Sequence, residues 1–187
     1  MPLKVLPAEV GINMANYDGI KIQTHFDNPN LDSGIVDTSG VRFYVAAKGA
    51  TRPMEYGVLQ LGDPALVLGG SPLKSGLSTY TFTCPSLEST APITIYNHLL
   101  HMHSIGVRMV TEHLRGGTQV GGSQIEHYDF DYQDMTYRNE VANPGDSFVT
   151  TCFYDTSKAK TGSVSFGLGS DDEMCIVRFF LSSPINC

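Results

Sequence analysis

His101 and His103, two residues apart with Met102 between them, are the side chains of this sequence best placed to do chemistry. They lie in the apolar run 93–105, which also holds His98. In a β-strand, residues two apart project to the same face. His101 and His103 would then aim both imidazoles at one point and leave Met102 on the opposite face. Two imidazoles presented this way can chelate zinc, copper, iron or nickel. The plainer alternative is a histidine pair on a solvated strand, because structural zinc sites show four ligands at recognisable spacing.

A second stretch, Gly167 to Cys175, carries the acidic triplet Asp171-Asp172-Glu173 before Met174. Taken alone, the triplet reads as a solvated loop, or a weak calcium site without the spacing of a known loop. Met174 alone reads as a filler of core space.

The segments that must position these residues read as strands. Gly19 to Asn28 alternates, with Ile20, Ile22, Thr24 and Phe26 on one face and Lys21, Gln23 and His25 on the other, which predicts a half-buried strand. Val41, Phe43 and Val45 predict a second, and Tyr56 to Leu61 a third. Ser78 to Cys84 is rich in Thr and aromatics, which favour pleated surfaces. The histidine strand follows from Ile93 to about Ser104. Past Gly106, Val107 to Leu114 is expected to continue it beyond a bulge or to fold back on it. Glycines 116, 117, 121 and 122 punctuate the next connection. Gln124 to Gln133 is expected to set Tyr128, Phe130 and Tyr132 on one face. Phe148 to Tyr154, a short strand within Gly162 to Gly169, and Met174 to Leu181 complete ten or eleven strands. Their spacing is that of an all-β sandwich or barrel. A two-sheet antiparallel jelly roll is the simplest architecture that buries this many aromatics.

Composition sets outer bounds. A chain of 187 residues suits one large domain or one and a half small ones, and 41% hydrophobic with 17% charged residues allows a sizeable core. The net charge of −7 argues against nucleic acid or anionic membrane as partners. There is no apolar run near the length of a membrane span. Met1 to Val10 lacks the apolar core of a signal peptide, so a secreted protein would have to have lost its leader. Cys84, Cys152, Cys175 and Cys187 contain no C-x-x-C pair; they are compatible with two disulfides in any of three connectivities, or with four free thiols.

His101-Met102-His103, Asp172-Glu173-Met174-Cys175 and the cysteine placement together resemble the copper type II, ascorbate-dependent monooxygenases. Three further segments share the likeness: Thr24 to Pro29, Asp37 to Tyr44, and Pro144-Gly145-Asp146. The resemblance implies copper held by His101, His103 and Met174, with O2 and ascorbate as co-reactants and an activated C–H bond as the point of hydroxylation. A thioether beside two imidazoles favours Cu(I). It also implies the disulfides Cys152–Cys175 and Cys84–Cys187, worth about 3 and about 4.7 kcal/mol by the loop-entropy argument. Residues 1–28 would be a lead-in with the last strand of a preceding copper domain, and 29–187 the C-terminal catalytic jelly roll, in the secretory pathway or outside the cell.

The pattern departs from the family in two places. Family members hold a second copper on a His-His pair and one later histidine; His25 matches the latter, but the sequence has no His-His pair. The chain alone is therefore expected to bind copper yet turn over slowly or not at all. In the peptide-amidating branch an arginine before the His-x-His, and Asn and Tyr after the Met-Cys, bind peptide. Leu99, Ile176 and Arg178 stand there, which points to a small amine-like substrate. A non-catalytic or single-copper β-sandwich binding module is the rival reading, and zinc on His101 and His103 with Asp171 or Glu173 a third. His98 and His113 carry no assigned role; His127 is expected to be a hydrogen-bonded structural histidine.

Overall fold

The computed structural model describes residues 7–15, 17–22, 24, 26, 28, 30–47, 49–50, 52–62, 72–159, 163–169 and 171–187. Among the described residues ten strands are present: β1 Val10–Gly11, β2 Met54–Glu55, β3 Gly57–Leu61, β4 Leu77–Cys84, β5 Ile93–His101, β6 Gly106–Arg115, β7 Thr118–Ile125, β8 Thr136–Ala142, β9 Ser147–Asp155 and β10 Ile176–Leu181. One 3-10 turn, Thr156–Lys158, is the sole helical element among the described residues. The class is all-β, as expected.

Two four-stranded antiparallel sheets form the body. The first has the order β3-β10-β5-β8 and the second β4-β9-β6-β7. Alternation explains the pairing of faces. In β9, Phe148, Thr150, Cys152 and Tyr154 are buried while their neighbours are only half-buried, and in β3 Leu59 and Leu61 point inward. Phe148 of one sheet meets Phe179 of the other at 4.7 Å between ring centroids, so the aromatics close the core between the sheets. Both cysteine pairs form disulfides, Cys84–Cys187 and Cys152–Cys175.

Several expectations need correction. The described residues of Gly19 to Asn28 form no strand, and Ile20, Ile22 and Phe26 are exposed; Val41 to Val45 likewise forms none. Alternation specifies a strand only when a partner edge and a covering face are present, and among the described residues these segments have neither. Segment 107–114 neither continues β5 nor folds back on it. It crosses to the second sheet as β6, between β9 and β7. The crossing turn is tight: a Cβ on Gly106 would lie 2.8 Å from two side-chain atoms of Met102, so only glycine fits.

Gly121 and Gly122 lie inside β7 rather than in a connection, and β7 stops at Ile125, leaving 126–133 irregular. Residues 163–169 hold only a single bridge, Phe166 to Glu173. β8 was not anticipated. It is an edge strand paired to β5 alone, and polar edges suit a position with one free side.

Candidate metal centre

The strand that carries His101 is rephased by a bulge. Pairing of β5 shifts between Ile95 and Asn97, and its partner β10 shifts at Phe180/Leu181. Ile95 and Tyr96 are consequently both buried, and from there His98 and Leu100 face inward while Leu99 and His101 face outward. Without the extra residue His101 would share the inward phase of Ile93 and Ile95. A bulge that re-aims a side chain beside a site is a recurrent device.

β5 ends at His101, three residues short of the expected limit, so strand parity alone does not place His103. Its position comes from Glu173. This carboxylate is fully buried and accepts three backbone N–H groups: His103 at 2.8 Å, Ile105 at 2.8 Å and Met174 at 3.1 Å. One acid thus ties the histidine turn to the methionine loop. Burial raises the Glu173 carboxyl above its ordinary range, with the three amides pulling the other way. Tyr128 holds the same turn from the opposite side, its hydroxyl accepting from Met102 N at 2.9 Å and donating to Met102 O.

The two rings lie 5.1 Å apart at 82°. His103 Nδ1 donates to the carbonyl of Asp172 at 2.9 Å, which leaves its Nε2 as the lone-pair nitrogen. His101 Nδ1 meets Gln133 Oε1 at 2.5 Å. Gln133 Nε2 donates to Phe130 O at 2.7 Å, which fixes the amide so that Oε1 must accept. His101 is therefore also an Nδ1–H tautomer with a free Nε2. Burial pushes His101 below the usual histidine range, and His103 and Arg178 add to this against the Gln133 bond. Neutral rings with Nδ1 tied back are what a metal requires.

Met174 is half-buried. Its carbonyl accepts from Tyr154 Oη at 2.9 Å, and the next residue, Cys175, is bridged to Cys152 of β9. Among the described residues no three His, Cys, Asp or Glu side chains gather to hold a metal. Glu173 is consumed by amides and Asp171 is exposed, so the zinc alternative lacks a carboxylate ligand. The two imidazoles brought together here, each with Nδ1 tied back, are donors of a type that suits copper. His25 lies outside the described residues. His127 is exposed rather than structural; the buried structural histidines are His98 and His113.

Gln133, Tyr128 and Glu173 escaped the sequence reading. Glu173 looked like part of a solvated triplet, and nothing in the local pattern marks Gln133. Replacing Gln133 with Leu frees the His101 ring, and a loss of about 10- to 100-fold in metal affinity is expected from removing such a partner. Competition titration against a chelating dye reads it directly, with the folded fraction followed by circular dichroism.

Residues 56–182 match the family described as copper type II ascorbate-dependent monooxygenase, C-terminal domain. The chain belongs to this family, whose cofactors are copper and, as reductant, ascorbate. It is 32% identical over 181 residues to the tyramine β-hydroxylase of Caenorhabditis briggsae, covering 91% of this chain and 30% of that protein. It is 28% identical to the dopamine β-hydroxylase of Canis lupus familiaris, covering 91% and 28%. With the human DBH-like monooxygenase protein 1 it shares 27% identity, covering 96% and 31%. The chain thus spans less than a third of these relatives.

Proposed function

We propose that this chain is the oxygen-activating mononuclear copper domain of an ascorbate-dependent monooxygenase, with copper held by Nε2 of His101, Nε2 of His103 and Sδ of Met174. The observation that carries the reading is the pair of Nδ1–H tautomers, fixed by Gln133 and Asp172, beside a methionine tied to His103 through one carboxylate. Copper, when bound, supplies one-electron chemistry with O2 at an activated C–H bond, with ascorbate as the electron source.

The chain's own residues do the positioning. Gln133 and the Asp172 carbonyl orient the rings, and Glu173 fixes the spacing of the two segments. Ile176 pairs with His101 across the sheet, and Arg178 pairs with Leu99 and donates to Gln60 at 2.7 Å, so these side chains border the outward-facing ring. Apolar Leu99 and Ile176 suit a small hydrocarbon body. A small amine-like substrate is consistent with relatives named for tyramine and dopamine. We assign 29–187 to the catalytic domain, with the eight strands β3–β10 as its jelly roll, and 1–28 to a lead-in related to a preceding copper domain. That domain would supply the second copper, which His25 without a His-His pair does not hold. Two disulfides favour the secretory lumen or the exterior. No helix among the described residues is long and apolar enough to cross a membrane.

Cu(I) binding tests the assignment. Wild-type chain is expected to take up a single Cu(I) with a sulfur scatterer in its X-ray absorption spectrum. Met174→Ala should lose that scatterer and His101→Ala should lose stoichiometric binding. Unchanged binding in all three would overturn the ligand set. A chain that binds no copper at all would favour the second reading, a non-catalytic β-sandwich binding module.

A further inference from the structure

A second polar cluster lies between the sheets, apart from the metal centre. His113 of β6 is buried and faces a carboxylate from each ring nitrogen: Nδ1 meets Glu140 Oε1 of β8, and Nε2 meets Asp146 Oδ2 at 2.8 Å. Asp146 is also buried and accepts from Arg115 Nε at 3.0 Å, from an Arg115 terminal nitrogen at 2.8 Å and from the Asn143 amide at 2.7 Å. His98 of β5 is 1% exposed, has no hydrogen-bond partner at either ring nitrogen, and sets Nε2 3.8 Å from the second oxygen of Glu140. Its ring packs edge-on against Phe179, and His113 stacks on Phe148. Gly121 of β7 leaves the room Glu140 occupies, since a Cβ there would collide with that carboxylate.

An imidazole between two ionised carboxylates donates from both nitrogens and is therefore a cation. With His113 charged, the hydrogen-bonded set of two cations (His113 and Arg115) and two anions (Glu140 and Asp146) is neutral, and Arg138 of β8 adds a positive charge near His98. A proton added at His98 adds further positive charge; a proton removed from His113 leaves the set negative. Buried charge is tolerated only when it is balanced and hydrogen-bonded. Because both nitrogens of His113 are engaged, the cluster offers no lone pair there for a metal.

We propose that His98, Glu140, His113 and Asp146 form a proton-dependent clamp between the two sheets, closed when His113 carries a proton and His98 does not. Glu140 and His98 belong to the first sheet and His113 to the second, so the clamp spans the sandwich. The surroundings support both assignments. Burial opposes charge on His113, yet its bonds to Glu140 and Asp146 raise it above the ordinary histidine range. Burial drives His98 down to about 4; Arg138, which also reaches Ser123 of β7, and His113 add to the effect, outweighing the attraction of Glu140. Glu140 and Asp146 are both held low against burial, Asp146 at about 2 through Arg115, the Asn143 amide and His113.

The two histidines act in opposite pH ranges. An unfolded histidine titrates near 6.5. His98, depressed when folded, contributes stability that is present above about 6.5 and is lost as pH falls towards about 4. His113, raised when folded, contributes stability that is fully present below about 6.5 and is lost as pH rises through its folded value. Each limb approaches a tenfold change in the unfolding constant per pH unit.

Two measurements on the whole chain test the clamp. Imidazole nitrogen NMR of the wild type at neutral pH should show His113 protonated on both nitrogens and His98 on one. Urea unfolding across pH should show stability falling on both sides of neutral. His98→Leu should remove its share of the acid limb, and Glu140→Gln should bring the alkaline loss to lower pH. Both rings titrating together near 6.5, or acid and alkaline limbs unchanged in both variants, would overturn the proposal. So would a metal ion bound by wild type and lost on His113→Ala.

Discussion

Glu173→Gln is expected to weaken Cu(I) binding by more than tenfold and to cost the fold at least about 3 kcal/mol. The carboxylate meets three amide donors with two oxygens, and nothing else in its position accepts them. A glutamine offers one carbonyl and turns an NH2 towards N–H groups, so at least one buried amide loses its acceptor and the remaining bonds lose their ionic component. An unsatisfied buried donor costs about 1–3 kcal/mol, and bonds to a charged group are worth about 1.5–3 kcal/mol each. Against a typical total of about 5–15 kcal/mol this is a large fraction.

The effect on copper follows from where the amides sit. Two belong to the histidine turn and one to Met174, so the same acid ties the backbone of the histidine turn to the backbone of the proposed thioether ligand. Glu173→Asp keeps the charge but withdraws it by one methylene, and is expected to recover stability more than affinity. Urea unfolding and Cu(I) competition titration separate the two. Equal losses in both for Gln and Asp would mean that Glu173 supports the fold without positioning the ligands.

Strands with a buried apolar face were legible in the sequence. β4 and β9 follow the alternation of Tyr80, Phe82, Phe148 and Tyr154, and β10 follows the apolar run around Phe179. The edge strand β8 escaped because Thr136 to Glu140 shows mostly polar side chains and its partner lies more than thirty residues away. Segments 19–28 and 41–45 were over-read for the complementary reason: period alone says which face a strand would bury, not whether anything covers it. At the proposed metal centre, His101 and His103 stood out by spacing. The outward aim of His101 depends on a bulge that no residue type announces. Met174 joined them only through the family likeness, because the contact that binds it to His103 is made by a carboxylate whose three donors come from two distant segments. His98 and His113 stayed unassigned for the same reason, since Glu140 and Asp146 reach them from other strands.

Removing the Cys152–Cys175 bridge as Cys152→Ala/Cys175→Ala should cost less stability than removing Cys84–Cys187, yet weaken copper binding more. The chain between Cys152 and Cys175 is short, and its closure is worth about 3 kcal/mol, against about 4.7 kcal/mol for the longer loop. Location inverts the order for copper. β9 runs from Phe148, opposite Cys84, to Tyr154, opposite Gly106 and close to the histidine turn. Cys175 directly follows Met174, and Tyr154 donates to the Met174 carbonyl from the same strand as Cys152. β9 therefore grips the thioether's backbone by one covalent and one hydrogen bond. Cys84–Cys187 fastens β4 to exposed Cys187 at the Phe148 end of β9, away from the Tyr154 end that reaches Met174. Its loss should lower the urea midpoint while the folded domain keeps its Cu(I) affinity. If the Cys152/Cys175 variant holds copper as tightly as wild type under folding conditions, Tyr154 and Glu173 alone place Met174, and the bridge stabilises the sandwich without shaping the site.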